Sequence, residues 1–171
     1  MSAGPDPALA AAPPGFHPIR RSGSFNEVAG PFFYRADRSS FVTGFRVMAH
    51  HLNPADVMHG GMSVVFADMT LGLGMSIKCG IHIFMPTVNL TTDFLAGGKA
   101  GAWVEGDAKL VRRTRGMVFA ETVLTADGAP FLRCSAVLKI PAGNAMRFDP
   151  HELFPELAAV GYEAEYPEPS R

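Results

Sequence analysis

The spacing of hydrophobic and polar residues changes after residue 78. Residues 62–77 are apolar on nearly every side of a helical wheel, with Asp68 as the one acid, which predicts a buried helix. From residue 87 to 140, apolar and polar residues alternate, as in half-buried β-strands. Shorter strand-like runs precede the helix at residues 32–35 and 40–47. The chain is therefore predicted to surround one central helix with strands.

Tight turns separate the strands that follow the helix. Gly97 and Gly98 form the first turn, residues 112–116 the next hairpin, and Asp127 with Gly128 the last. Four long strands connected in this way make an antiparallel meander. With the earlier runs they predict an α+β fold, in which a curved antiparallel sheet of about six strands wraps a long central helix.

The two ends of the chain lack this periodicity. Residues 1–15 are rich in Ala and Pro and are expected to be a disordered lead, followed by one domain over residues 16–140. Residues 141–171 form a proline-containing extension, with a short helix expected within 152–160 and a loose acidic tail after Tyr162. The lead has no basic region like that of a signal peptide, so we expect a cytoplasmic protein.

The composition narrows the range of partners. The chain has 171 residues, 47% of them hydrophobic, and a formal net charge of -1. Nucleic-acid binding is not expected, because it needs clustered positive charge. Ser63, Asp68 and Thr70 interrupt the apolar helix, so a membrane span is not expected either.

Metal binding and disulfide chemistry are not expected. Cys79 and Cys134 lack the spacing of metal ligands and are interpreted as buried, reduced thiols. His50 and His51 are expected at the surface, and with His59 they lack the helical spacing of a zinc site.

Candidate chemistry lies at the start of the helix. A carboxylate in an apolar helix, such as Asp68, needs a partner or a function. The helix N-terminus has free N–H donors that suit a developing negative charge, and Gly60 and Gly61 allow a substrate carbonyl to approach them. Asn53 could add its amide N–H to these donors. Alternatively, Asp68 is a structural acid that caps a neighbouring loop and Asn53 only a turn residue.

These residues resemble a known family. Asn53, the sequence His59-Gly60-Gly61 and Asp68, in this register before a meander, are similar to the hotdog-fold thioesterases, specifically the phenylacetate-pathway type (PaaI-like) acyl-CoA thioesterases. The resemblance covers about residues 30–140 and implies hydrolysis of an acyl- or aryl-acyl-CoA to free acid and CoA, without a cofactor.

The resemblance also implies roles for individual residues. Asn53 and the Gly60 N–H would bind the thioester carbonyl, and His59 would contact the sulfur or order the loop. Asp68 would activate water or attack directly, assisted by Thr87, which stands where relatives often have serine. The family further implies a homodimer, assembled as a dimer of dimers.

Helix geometry independently favours a dimer. Gly60 and Asp68 are eight residues apart, which on one helix is about 12 Å. A base cannot serve a carbonyl held at that distance. We therefore expect Asn53 and Gly60 of one subunit to face Asp68 and Thr87 of the other.

Three arginines in the hairpin are candidates for the phosphates of CoA: Arg112, Arg113 and Arg115. Charged hairpin residues are more often simply solvated. Two alternatives to a thioesterase also stay open, a non-catalytic acyl-CoA-binding or scaffold module and a hydratase of the same fold. The hydratase ranks lower, because His59 and Asp68 are far apart along the chain.

Overall fold

The computed structural model describes residues 12–20, 23–143 and 145–167. Residues 1–11 of the predicted disordered lead therefore lie outside the described residues. The strands are β1 His17–Pro18, β2 Phe33–Ala36, β3 Phe41–Arg46, β4 Thr87–Phe94, β5 Trp103–Gly106, β6 Lys109–Arg113, β7 Met117–Ala126 and β8 Ala129–Lys139. The helices are α1 Ser24–Ala29, α2 Gly60–Lys78, α3 Pro150–Leu153 and α4 Glu156–Ala159.

Helix α2 confirms the predicted central helix. Phe66, Leu71 and Met75 on this helix are completely buried. By length and composition alone α2 could cross a membrane, but 61% of that stretch is buried inside the protein. It is the core helix of this domain, and the sheet packs around it.

The sheet is antiparallel and has eight strands, more than the six predicted. Its order is β1-β2-β3-β5-β7-β8-β4, with β6 paired to β7 beside this path. One added strand is β1, whose two residues are too short to show a period. The other arises because the predicted run 103–111 is divided into β5 and β6.

Contact with the helix explains this division. A Cβ atom placed on Gly74 would lie 2.8 Å from the Cβ of Ala108, so helix and sheet approach closely there. The Thr122 hydroxyl donates a hydrogen bond of 3.0 Å to the carbonyl of Asp107. The strand therefore bends toward α2 at residues 107 and 108 without leaving its partner β7.

The C-terminal extension belongs to the same hydrophobic core. The Phe154 side chain is fully buried, with ring centroids 4.9 Å from Tyr34 and 5.1 Å from Phe41. The helix expected within residues 152–160 is two short helices, since Pro155 separates α3 from α4.

An ion pair at Lys78 connects the acidic tail to the end of α2. The Lys78 amine lies 2.5 Å from the carboxylate of Asp107 and 2.9 Å from that of Glu165, and its side chain is almost fully buried. The Tyr166 N–H donates a hydrogen bond of 2.7 Å to the Lys78 carbonyl. A buried amine requires such carboxylate partners. The expectation of a loose tail after Tyr162 is therefore wrong for the described residues, up to residue 167.

The packing of Phe154 predicts a large loss of stability when its ring is removed. Phe154→Ala should lower the free energy of unfolding by about 3–5 kcal/mol, because it leaves a cavity between two aromatic rings. Val160→Ala, at the 38% exposed end of α4, is the matched control and should change it by less than about 0.5 kcal/mol. Urea denaturation measures both. Equal midpoints for the two variants would show that the extension adds little to the core.

Candidate active site

The turn before α2 is held together by the side chain of Asn53. Its Oδ1 accepts a hydrogen bond of 2.9 Å from the Ala55 N–H, and its backbone N–H donates to the Val57 carbonyl at 2.9 Å. The amide oxygen therefore faces the turn, which leaves the Nδ2 hydrogens for another acceptor. Asn53 is a turn residue and remains available as a donor.

His59 caps the helix. Its Nδ1 accepts a hydrogen bond of 2.9 Å from the Gly61 N–H. Within the described part of the chain, the Gly60 N–H donates no hydrogen bond. A Cβ atom on Gly60 would lie 3.2 Å from the ring of Phe94, so glycine fits best there. The cap thus uses one donor at the helix start and leaves the Gly60 N–H for a ligand.

The buried residue His51 positions this turn. Its Nδ1 accepts from the Met48 N–H at 3.0 Å, and its Nε2 lies 2.8 Å from the Ala29 carbonyl, to which it donates. Its carbonyl accepts from the His59 N–H at 2.8 Å. Burial, and then the neighbouring His50, lower the pKa of His51, which favours this neutral tautomer.

The expectation that His51 lies at the surface is wrong, since only 3% of it is exposed. Nothing in the local sequence marks it as buried, because it lies in a short turn without periodicity. Its burial results from tertiary contacts, among them the Ala29 carbonyl, 22 residues earlier, and the Phe45 ring, whose centroid lies 5.3 Å away.

Asp68 and Thr87 form a hydrogen-bonded pair. The Thr87 hydroxyl, at the start of β4, donates to the Asp68 Oδ1 at 2.7 Å. Asp68 is half-buried and Thr87 is exposed. The strand pairing shifts between Thr87 and Asn89, where β4 begins beside β8. The structure therefore brings together the acid and the hydroxyl that the sequence singled out.

Cys134, on the strand next to β4, takes no part as a nucleophile. Burial, followed by the nearby charge of Asp68, raises the pKa of the Cys134 thiol to about 11. Because only the thiolate attacks carbonyl carbon efficiently, this side chain is inert near neutral pH. Both cysteines are buried and free, as predicted.

A cavity of about 670 Å³ opens beside the pair. Helix α2, the segment before β4, helix α1 and the C-terminal extension all contribute to its wall. This volume lies within the usual range for sites that bind small molecules. Its apolar lining is Phe25, Val65, Met69, Leu73, Phe84, Met85, Met146, Phe148 and Leu153.

One chain does not bring the two halves of the predicted site together. Helix α2 runs without interruption from Gly60 to Lys78, so Gly60 and Asp68 stay about 12 Å apart. Asn53 and His59 belong to the first half, with Gly60. Thr87 belongs to the second half, with Asp68.

The arginine candidates lie mainly in a strand. Arg112 and Arg113 are the last residues of β6, so the turn itself covers only residues 114–116. Arg113 donates to the Cys79 carbonyl at 3.2 Å and lines a second cavity of about 370 Å³ together with Arg147. Arg112 and Arg115 are exposed and line neither cavity.

Comparison with known proteins identifies the family. Residues 55–129 match the family model described as the thioesterase superfamily. The chain is 31% identical over 130 residues to the curated Pseudomonas aeruginosa protein named "Putative esterase PA0474". The aligned part covers 75% of this chain and 97% of that protein. The chain belongs to the thioesterase superfamily. It is thus a thioester hydrolase, and Gly60, Asp68 and Thr87 all fall within the matched residues.

Solved structures confirm the hotdog fold. A mutant form of the phenylacetic acid degradation protein PaaI from Thermus thermophilus aligns with a TM-score of 0.61 and 21% identity, covering 70% of this chain and all of that one. A hypothetical thioesterase from Streptococcus pneumoniae, solved with coenzyme A, aligns with a TM-score of 0.58 and 15% identity, covering 68% and 88%. This thioesterase has the same fold around α2.

The hydrogen bond from Thr87 to Asp68 predicts how substitutions affect this thioesterase. Thr87→Val keeps the shape but removes the donor, and a hydrogen bond to a charged acceptor contributes about 1.5–3 kcal/mol, so kcat/KM should fall about ten- to hundredfold. Thr87→Ser restores the donor and should stay within about threefold of the wild type. Steady-state kinetics of thioester hydrolysis measures both. Equal losses in the two variants would show that the hydroxyl alone does not explain the effect of position 87.

Proposed function

We propose that the protein hydrolyses acyl-CoA thioesters to the free acid and CoA. The hydrogen bond of 2.7 Å between Thr87 and Asp68, at the edge of a cavity of about 670 Å³, is the observation that carries this proposal. A pair of this kind beside a large apolar cavity suits an acyl group whose carbonyl meets the carboxylate. The coenzyme A bound to the structurally similar protein of Streptococcus pneumoniae supports CoA as the thiol.

The carbonyl is polarised at the start of α2. The Gly60 N–H points out of the helix N-terminus, where the helix dipole favours negative charge. The Asn53 amide, with its oxygen held by the turn, donates the second hydrogen bond. Both donors stabilise the oxyanion that forms when the carbonyl carbon is attacked. His59, as the helix cap, keeps the turn in shape and does not itself act on the carbonyl.

Asp68 supplies the attack on the carbonyl carbon. As a general base, it takes a proton from water while the water oxygen bonds to that carbon; the C–S bond then breaks, the protonated carboxyl returns the proton to the sulfur, and CoA leaves as the thiol. As a nucleophile, its carboxylate oxygen bonds to that carbon while the C–S bond breaks and CoA leaves as a thiolate that water protonates. Water then hydrolyses the mixed anhydride to the free acid and the Asp68 carboxylate. Both routes remain open. In either, Thr87 holds the carboxylate in one orientation through its hydrogen bond.

Two chains are needed to build one such site. Strand β4 is an edge of the sheet, and Val88 and Phe94 on it are each 57% exposed. An exposed apolar edge strand pairs readily with another chain. A homodimer formed here, itself part of a dimer of dimers, would place Asn53 and Gly60 of one subunit opposite the acid of its partner.

The phosphates of CoA require positive charge outside the apolar cavity. Arg112, Arg113 and Arg115 are our candidates, since guanidinium groups bind phosphate through paired hydrogen bonds. Arg113 has the strongest support of the three, because it lines the second cavity together with Arg147. Arg112 and Arg115 would contact the nucleotide only at the surface.

Thiol release from a panel of CoA esters tests the proposal. The wild type should release free thiol, and Asp68→Asn should lower kcat by at least about a hundredfold, since general acid–base catalysis contributes about 10²–10⁴. Binding of the CoA ester to Asp68→Asn, measured by calorimetry, should persist. Binding without turnover by the wild type would instead identify a non-catalytic acyl-CoA module.

Mixing of inactive chains tests the shared site. Asp68→Ala and Asn53→Ala each remove one half of every site in their own homodimers. A mixed dimer has one site with both halves intact, so unfolding and refolding the two together should recover activity that neither has alone. An equal mixture recovers at most about a quarter of the wild-type activity if exchange is random. No recovery, despite exchange shown by mass spectrometry, would place each site within one chain.

A further inference from the structure

The C-terminal extension gives the cavity beside Asp68 a wall that lies outside the residues matched by the family model. Met146, Phe148 and Leu153 line it from the C-terminal extension, whereas the thioesterase family model ends at residue 129. The catalytic pair and this wall therefore come from different parts of the chain. The wall lies in the C-terminal extension, after the matched residues.

Hydrogen bonds fix this wall relative to the catalytic pair. The Phe84 N–H donates to the Met146 carbonyl at 2.8 Å, and the Phe148 N–H donates to the His82 carbonyl at 3.3 Å. The segment they pair with continues directly to Thr87, three residues after Phe84. The wall is thus held at a fixed distance from the segment that carries Thr87.

The other end of the wall is also anchored. The Leu153 carbonyl accepts a hydrogen bond of 3.1 Å from the Arg20 N–H, and the next residue, Phe154, is fully buried in the core. Asp149 caps α3 by accepting from the His151 N–H at 2.8 Å. The wall is therefore preformed rather than ordered by a ligand.

The cavity lining is mainly apolar, and its exposed residues are both apolar, as at Phe25, Phe84 and Met146, and charged. Met85 is buried and Phe148 is half-buried, while Arg147, Asp149 and Glu152 are exposed. The pantetheine arm of CoA carries amide groups, which lose hydrogen bonds to water in an apolar cavity. An apolar acyl group loses none and gains from burial. The acyl group is the better occupant.

The cavity also has length. It extends along α2 from Asp68 to Ser76, which is about 12 Å at about 1.5 Å per residue. An acetyl group bound at Asp68 would leave most of this space empty. A longer acyl chain would fill it and contact more of the apolar lining, to which Met146 and Phe148 belong.

We propose that residues 146–153 form the acyl-binding wall and that Met146 and Phe148 determine which acyl chains are accepted, with medium-length apolar chains preferred over acetyl. This inference rests on the proposed acyl-CoA thioesterase activity. The chemistry would then come from the family core, and the specificity from the C-terminal extension.

Filling the cavity at Met146 tests this assignment. Met146 is 67% exposed, so Met146→Trp should fold normally while narrowing the cavity. It should raise KM for octanoyl-CoA by about tenfold, the effect of a methylene or more in an apolar pocket, and leave kcat/KM for acetyl-CoA within about twofold. Val111→Trp, at a site that is 62% exposed on β6, is the matched control and should leave both esters unchanged.

Opening the cavity gives the opposite change. Phe148→Ala should move the preferred acyl chain of the panel to a longer one, because removing a ring from the lining enlarges the cavity. Thermal unfolding of every variant separates this effect from loss of folding.

Equal changes for acetyl-CoA and octanoyl-CoA in Met146→Trp, or no change in either, would overturn the assignment. So would a change in sedimentation without a change in chain preference, which would make this face a subunit contact. Failure of the wild type on every ester would instead reject the thioesterase proposal itself.

Discussion

The rigid rise of helix α2 is the constraint on which the site depends. Because α2 is continuous from Gly60 to Lys78, the N–H donor at its start and the acid two turns later stay about 12 Å apart. No side-chain rotation closes that gap for a single carbonyl. In the proposed mechanism, the helix therefore gives its N-terminus to one site and its carboxylate to another. The exposed edge strand β4 offers the surface on which a second chain can meet this requirement.

Each half of the site has its own support. The turn is held by the Asn53 oxygen, by the His59 cap and by the buried His51, whose hydrogen bonds connect it to Met48, Ala29 and His59. The acid is oriented by Thr87, the first residue of β4. In both halves the groups that would touch substrate are therefore oriented by fixed neighbours, as electrostatic stabilisation of a transition state requires.

Local sequence predicts the parts of this fold that local rules control. The apolar run with one acid is sufficient to predict α2, and alternation predicts β4, β7 and β8. Thr87 could be assigned to Asp68 only through resemblance to the family. The division of the run 103–111 could not be predicted, since it results from the close contact between Ala108 and Gly74, thirty-four residues earlier in the chain.

Long-range contacts also explain the errors at His51 and in the extension. His51 accepts a hydrogen bond from Met48 and donates one to Ala29, and the described extension is held by contacts at Phe154 and Lys78 rather than by a periodic element. These aperiodic segments surround the family core at the places where a substrate would enter. A core that holds the reacting groups rigidly can keep one chemistry, while the segments around it vary in the acyl group they admit. The pair of Asp68 and Thr87 lies at the boundary between the two, where Thr87 follows directly on the segment that pairs with the extension, so under our proposal a change in the extension would act on the acyl group without passing through α2.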